Sequence, residues 1–191
     1  LTSAYLNVPF NGASKPGDQI QIILEDQAAG ILDLSLLSSN FQVIALNDKE
    51  VVQTFNASSS LLSLELLSGR SSKYLLSLPV SDAFDEVEIR YAGSLATVFS
   101  GINIYEVGTA PPSPVIISDD LNAGIASICE GKEVSLFIEN PIAGSVYNWY
   151  TQVEGGTIVA TTTSFTPQNL TDGTYDYYVA QSRPGCIYES A

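Results

Sequence analysis

Apolar residues in the first half of this chain recur every second position in runs of only four to seven residues, and turn-forming residues cut the runs apart. Gln19-Ile20-Gln21-Ile22-Ile23-Leu24, Phe41-Gln42-Val43-Ile44-Ala45-Leu46 and Ile102-Asn103-Ile104-Tyr105-Glu106-Val107 are the clearest cases. A period of two places one set of side chains on a buried face and the other on a wet face, and runs this short do not make helices. Tyr5–Val8, Ile31–Leu36, Glu50–Phe55, Leu62–Leu66, Tyr74–Leu78 and Phe84–Arg90 read the same way, giving about nine strands before residue 108. The leucines of Leu61–Leu67 also fit a 3.6 period, so that stretch reads as either a strand or a helical turn. Pro16-Gly17-Asp18 marks a turn before the second strand, and Asn47-Asp48 joins the fourth to the fifth as a short hairpin without glycine. That many short strands with so little helix implies an all-β sandwich.

The seam is Gly108-Thr109-Ala110-Pro111-Pro112-Ser113-Pro114, where three prolines remove backbone donors between two strand-rich stretches. The chain of 191 residues therefore reads as two tandem β-sandwiches: residues 1–108, a Pro-rich linker at 109–113, and 114–191. Five basic and twelve acidic residues precede the seam and two and nine follow it, so each half carries −7 of the net −14. Such acidity repels phosphate backbones and anionic headgroups, which excludes nucleic acid and acidic membrane as partners. The apolar runs fall far short of the ~20 residues of a membrane span, so no membrane insertion is expected. There is no histidine. Histidine-based triads, Cys-His dyads, imidazole acid–base work and His-ligated metals are thereby excluded. No cofactor motif is present, and the expectation is a protein that is not an enzyme. Methionine is also absent and the chain starts at Leu1, which is read as the mark of a piece of something longer.

Candidate sites are few. Asp82, Asp85, Glu86 and Glu88 crowd seven residues, and their hard oxygen ligands make Asp82, Asp85 and Glu86 candidates for calcium, weighed against solvated charge at a strand edge. Alternation with Phe84 and Val87 argues that the four carboxylates cannot all converge. Tyr5, Tyr74, Tyr91 and Tyr105 would form a sugar-stacking platform if two shared an exposed face. Asn56-Ala57-Ser58 and Asn169-Leu170-Thr171 match the glycosylation triplet and are read as chance.

The second half has a more specific order. Glu133–Ile138 alternates, Val146-Tyr147-Asn148-Trp149-Tyr150 carries the single tryptophan, and Asp172-Gly173 precedes Thr174-Tyr175-Asp176-Tyr177-Tyr178-Val179-Ala180. This succession matches strand B, a strand C tryptophan and a tyrosine corner entering strand F. Trp149 and Tyr175 are expected to be structural core residues, with the Tyr175 hydroxyl bonded back to the backbone near Leu170. Together with Cys129-Glu130-Gly131, Glu154-Gly155-Gly156-Thr157 and Gly185-Cys186, the pattern resembles the Ig-like repeats of large secreted Bacteroidota surface proteins. Ala83–Arg90 followed by Ile102–Val107 resembles a jelly-roll-like module of the same giant adhesins, including those linked to gliding motility. These resemblances imply a jelly-roll-like domain followed by an Ig-like one.

They further imply a secreted, cell-surface fragment exported by type IX secretion that adheres to a surface glycan or protein ligand and continues into further domains. The competing expectation is a carbohydrate-binding module of a secreted polysaccharide-degrading enzyme. Export into an oxidising environment leads to the expectation of a Cys129–Cys186 disulfide. Counting strands against the Ig pattern places strand F at Thr174–Gln181 and leaves too few residues for a full strand G, so the last strand is expected to be truncated.

Overall fold

A computed structural model describes residues 4–26, 41–56, 63–66, 73–91, 102–129, 131–153 and 155–190. The expected strand at Ile31–Leu36 lies outside them. The described residues contain strands, turns and bends but no helix. The chain divides into two compact units, Leu1–Pro112 with Gly185–Tyr188, and Ser113–Pro184 with Glu189–Ala191.

The first unit is built from β1 (Ala4–Pro9), β2 (Gln19–Asp26), β3 (Phe41–Asn47), β4 (Glu50–Asn56), β5 (Ser63–Leu66), β6 (Lys73–Pro79), β7 (Glu86–Tyr91) and β8 (Ile102–Ala110). They form two antiparallel sheets, β1-β7-β3-β4 and β5-β6-β2-β8. Ser63–Leu66 of the Leu61–Leu67 stretch is thus a strand, paired to β6 with Ser63 opposite Ser77. Alternation does what the pattern requires: Ile20, Ile22 and Leu24 of β2 meet Val43, Ala45, Leu76, Leu78, Val87 and Ile89 in one buried cluster between the sheets. Each such side chain contributes ~1.5–3 kcal/mol by leaving water.

Two turns show why these loops are short. In Lys15–Asp18, Pro16 presets the second turn position and Gly17 adopts φ 88° at the third. The Lys15 N–H donates to the Asp18 carboxylate at 2.7 Å and the Asp18 N–H to the Lys15 carbonyl at 3.0 Å. The β3–β4 hairpin closes through Asp48 and Lys49, both left-handed at φ 49° and 69°. This primed geometry suits the right-handed strand twist, and it is built here without glycine.

The proline-rich connection starts later than the sequence implies. β8 continues to Ala110, and Thr109 and Ala110 are buried, because β8 pairs along its length with β2, Gln19 standing opposite Ala110. Gly185–Tyr188 belongs to the first unit, where the Ile187 and Tyr188 N–H groups both donate to the Thr109 carbonyl, at 3.0 and 3.1 Å.

The second unit consists of short strands: β9 (Ile116–Ile117), β10 (Leu121–Asn122), β11 (Ile125–Ala126), β12 (Leu136–Ile138), β13 (Val146–Tyr150), β14 (Ile158–Thr161), β15 (Ser164–Phe165) and β16 (Tyr178–Ser182). Two three-stranded sheets, β15-β12-β9 and β14-β13-β16, and a small β10-β11 hairpin result. Val134, Leu136, Ile138, Tyr147 and Trp149 form the buried cluster. The strand expected at Thr174–Gln181 begins only at Tyr178, since the preceding residues are held in the corner that Tyr175 closes.

Candidate functional site

Three places bear on function: the acidic end of the first unit, the outer face of its β1-β7-β3-β4 sheet, and the tryptophan-centred interior of the second unit.

At the acidic end, the β3–β4 hairpin meets the start of β7. The Asp48 N–H lies 3.2 Å from each Asp85 carboxylate oxygen. The Asp85 backbone accepts from the Phe10 N–H at 2.8 Å and donates to the Leu46 carbonyl at 2.9 Å. Asp85 therefore braces three chain segments. Pro9, Phe10, Asp48, Lys49, Asp85 and Glu86 line a shallow pocket of about 250 Å³ there. Asp82 is exposed in the preceding turn, and Glu88 is buried and ion-paired to Arg90. The carboxylates singled out for calcium are thus spread over different tasks. Among the described residues, no group of three His, Cys, Asp or Glu side chains comes together as a metal cage.

The outer face of that sheet is set by strand register. Directly opposed residues of antiparallel strands project to the same side. Leu6, Ile89, Val43 and Phe55 are opposed in turn across the four strands, and the last three belong to the core. The next row, Tyr5, Arg90, Gln42 and Asn56, must then face outward. Tyr5 is 68% exposed, the Arg90 side chain 49% exposed, and the Gln42 side-chain amide donates to the Asn56 carbonyl oxygen at 2.8 Å. Sequence reading singled out Tyr5 but missed its three neighbours. Their odd or even position along each strand was legible; the pairing register that lines them up was not.

The other tyrosines do not join this row. Tyr74 is buried in the core. Tyr105 lies on β8, in the other sheet, with the Lys73 ammonium 3.5 Å from its ring centre. Its hydroxyl donates to Glu25, a bond that raises its pKa. Tyr91 has no described side chain. An aromatic platform of Tyr5 with Tyr105 or Tyr74 is not formed.

In the second unit Trp149 is wholly buried. Its indole N–H donates to the Thr162 carbonyl at 2.9 Å, and its ring packs at 5.3 Å on Phe165, which in turn meets Tyr177 edge-on at 5.1 Å. Such a tryptophan is an interior hub, closed to ligands. Tyr175 is 45% exposed, at the rim instead of in the core, because its hydroxyl turns back to Thr171, 3.2 Å from the backbone nitrogen and 2.9 Å from the hydroxyl. Those bonds lower its pKa. The buried tyrosine is Tyr147, whose hydroxyl accepts from the Ile142 N–H at 2.7 Å. Tyr150 donates to Glu189 at 2.8 Å, and burial together with that carboxylate pushes its pKa up to about 12.

No disulfide joins Cys129 to Cys186. Cys129 is exposed before β12, and Cys186 is half-buried in the Gly185–Tyr188 segment grouped with the first unit.

Fold and geometry define a pair of β-sandwiches in tandem. Residues 111–191 match the family described as "Ig-like domain CHU_C associated", and the second unit is an Ig-like domain. No curated protein and no solved structure matches the chain.

Proposed function

We propose that this chain is a non-catalytic portion of a secreted, multidomain cell-surface adhesin, in which it spaces further domains and presents a binding face to a surface glycan or protein. The observation that carries this reading is the Ig-like match at residues 111–191 directly following a second β-sandwich. The chemistry agrees with it: histidine is absent, and the clustered carboxylates Asp85 and Glu88 are engaged by the Asp48 N–H and by Arg90. Export by type IX secretion and a jelly-roll-like relationship for the first unit are parts of the same proposal. The exposed tyrosine–amide row favours a second reading, in which the first unit is a carbohydrate-binding module of a secreted polysaccharide-degrading enzyme.

The test is to incubate the purified chain with bacterial cell surfaces and with soluble polysaccharides while measuring attachment and the release of reducing ends. Attachment to cells without released sugar is expected. Release of reducing ends would overturn the non-catalytic reading, and retention on polysaccharide but not on cells would favour the second.

A further inference from the structure

We propose that the row Tyr5–Arg90–Gln42–Asn56, on the outer face of the first unit's β1-β7-β3-β4 sheet, binds an uncharged, extended polysaccharide laid across the strands. The inference rests on the reading that the first unit presents a binding face, and it adds where that face is and what chemistry it takes.

Shape argues first. Neighbouring strands lie ~4.8 Å apart, so four directly opposed side chains form a row about 14 Å long. Tyr5, Arg90 and Asn56 of the row are exposed and Gln42 is half-buried, whereas Glu88 and Ile44, the next opposed pair on the same face, are buried. The pocket among Pro9, Asp48 and Glu86 does not include the row. A small ligand would need enclosure to bury most of its surface. An extended sugar chain does not, since it repeats a ring and a set of hydroxyls at a spacing commensurate with the strands.

The side chains fit that repeat. Tyr5 offers an aromatic face and a hydroxyl at the edge of the sheet, suited to stacking on the C–H face of a pyranose. Arg90, Gln42 and Asn56 are planar groups with donors fixed in forks, and the carboxamides add acceptors. The 2.8 Å bond from Gln42 to Asn56 holds the two carboxamides in a set orientation, which lowers the ordering cost of binding vicinal hydroxyls.

Charge selects among polysaccharides. Arg90 is neutralised on the same face by Glu88, so the row has no net charge, and the chain as a whole carries −14. Uronic or sulfated chains would meet repulsion without a compensating basic patch. A protein partner would want an apolar centre ringed by polar groups, whereas this row has polar groups at its centre and its one aromatic at an end.

The experiment uses the whole chain and measures retardation in affinity gels containing hydroxyethylcellulose or galactomannan as neutral probes, and polygalacturonate as an anionic one. Retardation by a neutral probe and none by polygalacturonate is expected. Tyr5→Ala and Gln42→Ala should each weaken it by about tenfold, the scale of one lost stacking or paired polar contact, and Tyr5→Phe should retain most of it. Tyr105→Ala, on the other sheet, should leave it unchanged. Arg90 is kept, since buried Glu88 depends on it; both tested side chains lie on the outer face, and an unchanged melting midpoint checks that each variant folds. Neutral binding that survives both alanine variants would place the site elsewhere and overturn the row while leaving the binding-face reading intact. Retardation by polygalacturonate would overturn the uncharged specificity. Absence of any glycan binding with persistent attachment to cells would overturn the row alone, and loss of both would overturn the row and the adhesive reading together.

Discussion

The two units bury themselves in different ways. Among the described residues, the first clusters fourteen buried side chains between two four-stranded sheets whose strands run to eight or nine residues, and the second clusters five between sheets whose strands are two to five residues long. Long strands let many aliphatic side chains share the interior, so no one of them is decisive. Short strands cannot, and in the second unit a single indole with Phe165 and Tyr177 around it fills the space that rows of Ile and Leu fill in the first. The lesson is that two sandwiches of similar layer plan concentrate their stability differently.

The sharpest way to break that contrast is to empty each core once. Trp149→Ala should cost ~3–5 kcal/mol through the cavity it leaves and the Thr162 carbonyl it strands. Against a typical domain stability of 5–15 kcal/mol, that is most of what a small unit has. Leu76→Ala, also wholly buried, should cost ~2–5 kcal/mol in a unit with a larger core to draw on. Calorimetry should show the second unit's transition collapsing in the Trp149 variant while the first unit's transition merely moves down in the Leu76 variant. Equal downward shifts would show that the cores are energetically alike.

What was legible beforehand follows the same division. In the first unit, alternation alone located β2, β3, β4, β6, β7 and β8, because inward and outward positions differ in hydropathy at every step. The partners of each strand were not legible: the row Tyr5–Arg90–Gln42–Asn56 depends on three registers, and a slip of one residue would reverse the face of each. In the second unit the spacing of Trp149 and Tyr175 made the Ig-like layout readable from two residues. The exposure of Tyr175 was not readable, since it depends on the path of the loop that its hydroxyl closes onto Thr171.

A smaller effect is expected at the β8 edge. A Cβ on Gly108 would sit 2.2 Å from Tyr188 Cε2, so the ring must move. Gly108→Ala should destabilise the first unit by ~1–3 kcal/mol, as overpacking does, and release the Tyr188 hydroxyl from Glu106, which it now reaches at 2.7 Å. An unchanged first-unit midpoint would show that the ring yields without loss.

Alkaline titration compares the units on equal terms, since each holds a tyrosine whose pKa is pushed up to about 12. Burial, then the Glu189 carboxylate, pushes Tyr150 to about 12, and burial, then Glu106, does the same for Tyr188. A folded-state pKa above the ordinary 10 means that the folded chain keeps a proton the unfolded chain loses. The contribution to stability is complete below pH 10 and is lost as pH rises towards 12. Both transitions should fall across that window. Tyr150→Phe should flatten the fall for the second unit alone and Tyr188→Phe for the first alone, followed by thermal melts at stepped pH.

The smallest expected difference separates two tyrosines within the second unit. Tyr147 is buried and its hydroxyl serves the Ile142 N–H; removing that oxygen takes away a bond worth ~0.5–1.5 kcal/mol and leaves the ring's packing in place. Tyr175 makes its bonds to Thr171 at an exposed rim, where water can replace the lost hydroxyl for both the Thr171 N–H and its side chain. Tyr147→Phe should therefore lower the second unit's midpoint and Tyr175→Phe should leave it where it was. The corner tyrosine would then be a guide for the chain's path into β16, with the energy held by Tyr147 and Trp149. If Tyr175→Phe proved the more damaging of the two, the corner would be a stabilising element despite its exposure, and the concentration of stability around Trp149 would have to be shared with it.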